Sequence, residues 1–183
     1  MKSVIELGGK MGATALIFGS PKNRAYENMT NEEAWERAAQ VFKTLGDYAV
    51  LHDTHVCIEP NPPSYNTNFI TNSKDGAAFV RIVDSPGFCL HLDSGAMHMN
   101  EENYEEIIAT NIDIIRHVHA SEPNLKDLSE EPQVDYKRLG TALKGNDYQY
   151  WVSIEMLTKE HTAESVRTAL EYIRNIFLKA SLS

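Results

Sequence analysis

Short apolar runs alternate along this chain with stretches whose apolar residues recur at helical spacing. Five runs have the character of strands, and they cover residues 13–18, 55–59, 88–93, 114–119 and 151–155. The clearest helical stretch begins at Thr30, which forms a capping-box pattern with Glu33, and continues to about Tyr48. Strands that alternate with helices are typical of a parallel sheet with helical crossovers, so the pattern predicts an α/β fold.

Further helices are expected around the other runs. A short helix over residues 3–11 should turn Val4, Ile5 and Leu7 inward. Other helices should follow Ser73, lie near residues 135–143 and begin at Thr162. The inward side of the Thr30 helix includes Val41, and that of the last helix comprises Val166, Leu170, Ile173, Ile176 and Phe177. Residues 19–24 and 94–100 are predicted as loops.

The number of strands limits the architecture. A closed eight-stranded α/β barrel typically needs about 250 residues and at least about 200. This chain has 183 residues and five strand-like runs. The sequence therefore predicts a single domain over residues 1–183, a partial (βα)8 barrel of about five βα units with parallel strands and outer helices.

Composition and charge restrict the function. The net charge of −9 argues against a nucleic-acid partner, because binding phosphates needs a positive surface. Cys57 and Cys89 lie inside apolar runs and are expected to be buried free thiols in a reducing compartment. The sequence has neither a leader pattern nor an apolar run near 18 residues, so we expect a cytoplasmic protein without a membrane contact.

Four residues stand at the carboxyl ends of four runs: Glu59, Asp93, His119 and Glu155. Taken alone, each has a structural interpretation, such as a helix cap for Asp93 or a core histidine for His119, which shares its strand face with His117. Their intervals of 34, 26 and 36 residues each hold one strand-helix unit, so neighbouring strands deliver one side chain each to the same end of the sheet. Three carboxylates and one imidazole suit a divalent cation.

The same residues carry a resemblance to a known family. Glu59, the HLD ending at Asp93, the HVH ending at His119 and the SIE ending at Glu155 resemble the metal quartet of the xylose isomerase-like TIM barrels. The sugar phosphate isomerase/epimerase branch, with the tagatose/psicose 3-epimerase-like enzymes, is the most similar. The resemblance implies that this chain is the C-terminal part of the barrel, without its first strands.

For chemistry, the resemblance implies a cofactor of Mn²⁺, Co²⁺ or Mg²⁺, with Zn²⁺ as a further candidate. The substrate would be a small-molecule sugar or sugar phosphate. Glu59 and Glu155 would act as the acid/base pair on opposite faces of the sugar, while Asp93 and His119 would be mainly metal ligands. A dication that polarises the carbonyl makes the neighbouring C–H more acidic, so proton transfer would pass through a metal-bound cis-enediolate.

Five residues are weaker candidates for substrate contacts: His98, Glu122, Lys22, Arg24 and Tyr65. His98 lies five residues after Asp93, whereas the epimerases have a histidine three residues after this aspartate. Leu125 stands where they have an arginine, so an expected substrate clamp is missing. Lys22 and Arg24, in a loop that resembles the Gly-Ser-Pro stretch of the family, could hold a phosphate or acid group.

Two other functions remain open. A partial barrel could be a catalytically inactive binding or assembly module, and the superfamily also includes zinc-dependent abasic-site endonucleases, which need about three metals and a basic surface. Missing strands would leave open sheet edges, which proteins seldom tolerate. We therefore expect a homo-oligomer, or a separate polypeptide that carries the missing N-terminal half of the barrel.

Overall fold

Strands and helices alternate in the structure, a computed structural model that describes residues 1–128, 130–157 and 162–179. The strands are β1 (Leu16–Phe18), β2 (Val56–Ile58), β3 (Phe88–Asp93), β4 (Ile115–Ser121) and β5 (Trp151–Glu155). The helices are α1 (Lys2–Lys10), α2 (Pro21–Arg24), α3 (Asn31–Val50), α4 (Ser73–Val83), α5 (Ser94–Met99), α6 (Tyr104–Asn111), α7 (Tyr136–Gly145) and α8 (Thr162–Lys179). Single 3₁₀ turns span Pro63–Tyr65 and Pro123–Leu125.

The strands of the described residues form one five-stranded sheet in the order β1-β2-β3-β4-β5. Strands β1, β2 and β3 pair in parallel, and the register places Cys57 beside Cys89. Both cysteines are buried free thiols, as predicted. The prediction of an α/β fold with about five βα units of a partial TIM barrel is confirmed.

The chain divides into two compact units. The first comprises Met1–Leu92 with Asp113–His117, and the second comprises Asp93–Ile112 with the described residues from Val118 onward. Each unit has its own core. None of the helices in the described part of the chain combines the length and the apolar content that crossing a membrane requires.

The core of the first unit is built on aromatic rings from α3, α4 and β3. The ring of Phe79 lies edge-on to four others, Trp35, Phe42, Phe69 and Phe88, with centroids 5.3 to 5.9 Å apart. Edge-to-face contacts of this kind add to the stabilisation that burial provides. The capping box predicted at the start of α3 is confirmed, because the Thr30 hydroxyl accepts from Glu33 N and the Glu33 carboxylate accepts from Thr30 N.

Several residues predicted to face inward are exposed. In α1 the packed face is Ile5 with Gly8, where the missing side chain lets Leu16 approach closely. The prediction was wrong for Val4 and Leu7, because they lie on the other side of this helix and face solvent. Val41 of α3 is exposed for the same reason, since only one side of that helix packs on the core.

The second unit has its core between α6, α7 and α8. Tyr136 is buried there and its hydroxyl donates to Ser121 O at 2.9 Å. Ile173 of α8 is buried as predicted, but Val166 and Leu170 are substantially exposed. These two residues line a groove along β5, the outer strand of the sheet, so no neighbouring strand-helix unit among the described residues covers them.

Both segments predicted as loops at strand ends contain a short helix. Helix α2 begins at Pro21, whose fixed φ suits the first turn. Helix α5 begins directly after β3 because the Asp93 carboxylate accepts from Ala96 N at 2.7 Å. Asp93 is therefore the N-cap of α5, which is a common role for an aspartate at the start of a helix.

The aromatic cluster leads to a stability prediction. Replacing Phe79 by Ala removes the ring that four others contact and should lower the free energy of unfolding by about 3–5 kcal/mol. Ile82→Ala on the exposed side of the same helix is the control and should change it by less than about 0.5 kcal/mol. Urea denaturation measures both values, and similar midpoints for the two variants would contradict the proposed core.

Candidate functional site

Three of the predicted ligands meet in the second unit, on three different strands. Asp93 and Glu155 end β3 and β5, whereas β4 continues to Ser121, two residues beyond His119. His119 of β4 has its Nδ1 atom 3.2 Å from Glu155 Oε2 of β5. The same Nδ1 atom lies 3.8 Å from Asp93 Oδ2 of β3. Asp93 and His119 are mostly buried, whereas the Glu155 side chain keeps 42% of its surface exposed. The structure thus brings two carboxylates to one imidazole.

Asp93 is held firmly by hydrogen bonds. Its Oδ2 atom accepts from the Ser121 hydroxyl at 2.6 Å, and its Oδ1 atom accepts from Ala96 N. The Ser121 oxygen in turn accepts from Gly95 N at 3.0 Å. Because the donors come from both β4 and α5, the carboxylate cannot rotate without breaking a buried hydrogen bond.

The imidazole also affects the charge of its partner. The hydrogen bond from His119 lowers the pKa of Glu155 below its ordinary value, and this effect outweighs the desolvation that acts in the opposite direction. Glu155 is therefore ionised at neutral pH and ready to accept a proton or to bind a cation.

Glu59, the fourth predicted ligand, lies in the first unit just after β2. Its Oε2 atom accepts from Asn61 Nδ2 at 3.1 Å, and its backbone oxygen accepts from Arg24 Nη1 at 2.8 Å. A Cβ atom at position 19 would collide with Oε2, so Gly19 is needed for the close approach of this carboxylate to the end of β1.

Two histidines of the first unit extend the surroundings of Glu59. His91 of β3, which is fully buried, places its Nε2 atom 3.6 Å from Glu59 Oε1. Its Nδ1 atom lies 3.3 Å from His117 Nδ1 of β4. The two imidazole rings stack with centroids 5.2 Å apart and planes inclined by 27°.

The weaker candidates lie in diverse environments. His98 and Lys22 are exposed, and Tyr65 is partly buried in a 3₁₀ turn. Arg24 is buried, and desolvation lowers its pKa to about 10. Glu122 is also buried, and its carboxylate accepts from Gln133 N at 2.8 Å and from Val134 N at 3.4 Å. Arg24 and Glu122 thus organise the backbone around them.

Sequence reasoning missed Asn61 and His91 beside Glu59, and Ser121 beside Asp93. His91 precedes Asp93 by two residues, so the alternation of a strand places both side chains on one face and could have indicated it. Asn61 and Ser121 carried no such signal, because a single amide or hydroxyl after a strand is common in loops of every kind.

Comparison with known proteins agrees with this geometry. The model of the family described as xylose isomerase-like TIM barrel matches residues 1–176. The chain belongs to this family. The resemblance to this family that the strand-end motifs indicated is therefore confirmed, and the relatives are consistent with the tagatose/psicose epimerase branch.

Individual relatives are distant in sequence. An L-ribulose 3-epimerase of Methylomonas sp. (strain DH-1) is 25% identical over 152 residues, which are 83% of this chain and 52% of that protein. The chain thus spans about half the length of this curated relative. A D-allulose 3-epimerase from Methylomonas sp., solved in complex with D-allulose, superposes with a TM-score of 0.83 at 21% identity over 96% of this chain and 67% of that one.

A third similar structure contains a metal ion. The IolI protein, whose structure holds a zinc atom, superposes with a TM-score of 0.78 at 18% identity over 97% of this chain and 68% of that one. Within the second unit, His119 Nδ1 lies close to one oxygen each of Asp93 and Glu155, and atoms of these types ligate metal ions. Carboxylate and imidazole donors fit a divalent cation of the first transition row.

The contact between His119 and Glu155 leads to a prediction about pH. In metal-free protein, His119→Asn should raise the pKa of Glu155 toward its ordinary value, because the hydrogen bond that lowers it is weakened or lost. The depressed pKa means that the contact stabilises the fold at neutral pH and that this stabilisation is lost as the pH falls through the folded-state pKa.

Carbon-13 NMR of labelled glutamate carboxyl groups measures the shift. His98→Asn, which removes an exposed imidazole from α5, is the matched control and should leave the titration of Glu155 where it is. Equal pKa values of Glu155 in the wild type and in His119→Asn would refute the conclusion that His119 lowers the pKa of Glu155.

Proposed function

We propose that the protein is a divalent-metal-dependent sugar or sugar-phosphate isomerase/epimerase. The observation that carries the proposal is the cluster of Asp93, His119 and Glu155 at the ends of three successive strands. Similarity to an L-ribulose 3-epimerase and to a D-allulose 3-epimerase supports the substrate class. Membership of the xylose isomerase-like family supports the reaction type.

We further propose that Glu59, Asp93, His119 and Glu155 bind one cation together, with Mn²⁺, Co²⁺, Mg²⁺ and Zn²⁺ as candidates. The sequence of β3 supports a shared cation, because His91, which contacts Glu59, lies two residues before Asp93 in the same strand. The side chains of His91 and Asp93 therefore project from the same face of one strand. A bound dication would polarise the carbonyl of a ketose and make the neighbouring C–H more acidic.

The two glutamates would then move the proton. Glu59 removes it from the carbon next to the carbonyl, and Glu155 returns a proton to the opposite face, which inverts that centre. Because epimerisation is reversible, each carboxylate acts as base in one direction and as acid in the other. Asp93, held between Ser121 and Ala96 N, keeps its orientation throughout and serves as a ligand.

The candidates for substrate contacts differ in how far their polar groups are already used. Glu122 is buried and its carboxylate accepts from two backbone N–H groups, so it is less suited to a substrate than the sequence suggested. Arg24 is buried too, but only its Nη1 atom donates to the backbone, and its Nε and Nη2 atoms have no hydrogen-bond partner among the described residues, so it stays a candidate for an anionic group. His98, Lys22 and Tyr65 keep solvent exposure and remain candidates for contacts with hydroxyl or phosphate groups.

Deuterium exchange tests the proposed acid/base pair. With Mn²⁺ or Co²⁺ present, the wild type should incorporate solvent deuterium into a ketose, tested with D-allulose, L-ribulose and ketose phosphates. Glu59→Gln and Glu155→Gln should each slow exchange by at least about 100-fold, because each removes one proton-transfer group. NMR of the recovered sugar gives the rate.

Glu36→Gln is the matched control, because it makes the same chemical change on the exposed side of α3 and should leave exchange unaffected. Exchange that persists in both active-site variants would exclude the acid/base pair. Absence of exchange in the wild type with every sugar and metal would instead favour an inactive binding module.

We also propose that a second copy of the chain covers an open edge of the sheet. Strands β1 and β5 stand at the two ends of the strand order, and Trp151 of β5 is 71% exposed. An apolar groove of about 700 Å³ runs along β5, lined in part by Tyr150, Val166 and Leu170. Open strand edges pair readily with another chain, and apolar groups beside them add area that is better buried.

Size-exclusion chromatography with light scattering tests this assembly. The wild type should elute at a multiple of the 20.6 kDa of one chain, and Trp151→Glu should shift the protein toward the monomer. Trp35→Glu is unsuitable as a control, because Trp35 contacts Phe79 of the core. The control is Val41→Glu on the exposed side of α3, which should leave the mass unchanged. A monomeric wild type at micromolar concentration would rule out the proposed dimer.

A further inference from the structure

We propose that His91 is a positioning residue that orients the Glu59 carboxylate, with His117 fixing its tautomer. The inference rests on the proposed function, because the orientation matters only if Glu59 binds the cation or moves the proton. All three residues belong to the first unit, and the argument uses only contacts within it.

The contact between the two imidazoles determines where their protons lie. Two Nδ1 atoms 3.3 Å apart can form a hydrogen bond only when one of them carries the proton and the other accepts it. On its other side, His91 Nε2 faces Glu59 Oε1 at 3.6 Å. A lone pair aimed at a carboxylate is repelled, so the favoured arrangement has N–H on His91 Nε2 and N–H on His117 Nδ1.

Burial makes this arrangement effective. His91 has 0% of its surface exposed, so water does not compete for its ring nitrogens and its dipole acts in a medium of low dielectric constant. At 3.6 Å the contact with Oε1 is longer than a hydrogen bond, and it orients Glu59 electrostatically.

The opposite side of the carboxylate is fixed as well. Asn61 Nδ2 donates to Oε2 and to the backbone oxygen of Glu59, and Gly19 leaves room for Oε2 near the end of β1. Asn61 therefore holds Oε2 by a hydrogen bond, while His91 faces Oε1. Glu59 is thus a ligand whose plane is set before any cation binds.

Two substitutions at position 91 separate positioning from packing. His91→Gln keeps a side-chain N–H near the place of Nε2, whereas His91→Leu keeps much of the volume and removes every donor. Loss of a contact that orients a metal ligand, made by a residue that does not itself bind the metal, typically lowers metal affinity by about 10–100-fold. For His91→Leu we expect a loss of Co²⁺ affinity of that size and a changed Co²⁺ absorption spectrum. For His91→Gln we expect the Co²⁺ affinity to change by only a few-fold.

Calorimetry and visible absorption of the Co²⁺ complex provide the readouts, with thermal unfolding as the check on packing. Equal Co²⁺ affinity and an unchanged spectrum in His91→Leu would overturn the proposal, since a purely structural histidine predicts that result. A loss above about 1,000-fold in both variants would also overturn it, because His91 would then be a direct ligand.

A measurement on the metal-free wild type keeps the two proposals distinguishable. Long-range ¹H–¹⁵N NMR should find the Nε2–H tautomer at His91 and the Nδ1–H tautomer at His117. The reverse tautomers would overturn the positioning role, even if neither variant folds. A wild type that binds no Co²⁺ but shows the expected tautomers would refute the proposed function and leave the arrangement of His91 and Glu59 supported.

Discussion

The structure depends on the constraint that a carboxylate drawn out of water needs donors that reach it from more than one element. A poorly solvated charge is costly unless hydrogen bonds or an opposite charge compensate it. Asp93 satisfies this requirement with the Ser121 hydroxyl from β4 and with Ala96 N from α5. Because these donors come from different elements, the fold itself sets the orientation of the carboxylate.

Glu59 meets the same constraint by other means in the first unit. Asn61 is a near neighbour in sequence, whereas His91 reaches it from the adjacent strand. Strand β2 pairs in parallel with β3, so the spacing between strands fixes the distance from His91 to Glu59. Glu155 differs, since His119 is its principal partner and much of its side chain stays in solvent. Its more exposed carboxylate is therefore freer to move than that of Asp93.

The sequence predicted the fold and the strand-end residues because both follow from short-range periodicity. Alternation within a run identifies a strand, and the residue that ends the run lies near the carboxyl end of that strand. Asp93, His119 and Glu155 could be selected from the sequence in this way. The helix capped by Asp93 escaped this reasoning, because six residues are too few to show a helical period.

Errors in the predicted burial have a different origin. Val4 and Val41 satisfy a helical period, but a period says only that residues share a face, and the tertiary structure decides which face is covered. The sequence also could not show that Arg24 and Glu122 are buried, since both types usually lie on the surface. Their charges contact backbone groups about 11 to 35 residues away, and separations of that size follow only from the folded chain.

This burial has a consequence for specificity. Glu122 accepts from the backbone of the segment before α7, so its charge is already used to hold that segment. Arg24 donates to the backbone of Glu59 through Nη1 alone, and its Nε and Nη2 atoms have no hydrogen-bond partner in the part of the chain that the structure describes. A buried charge cannot turn to a substrate without leaving its partner unpaired, which costs about 1–3 kcal/mol or more. Under the proposed function, recognition of the sugar falls to Arg24, through Nε and Nη2, and to the more exposed His98, Lys22 and Tyr65.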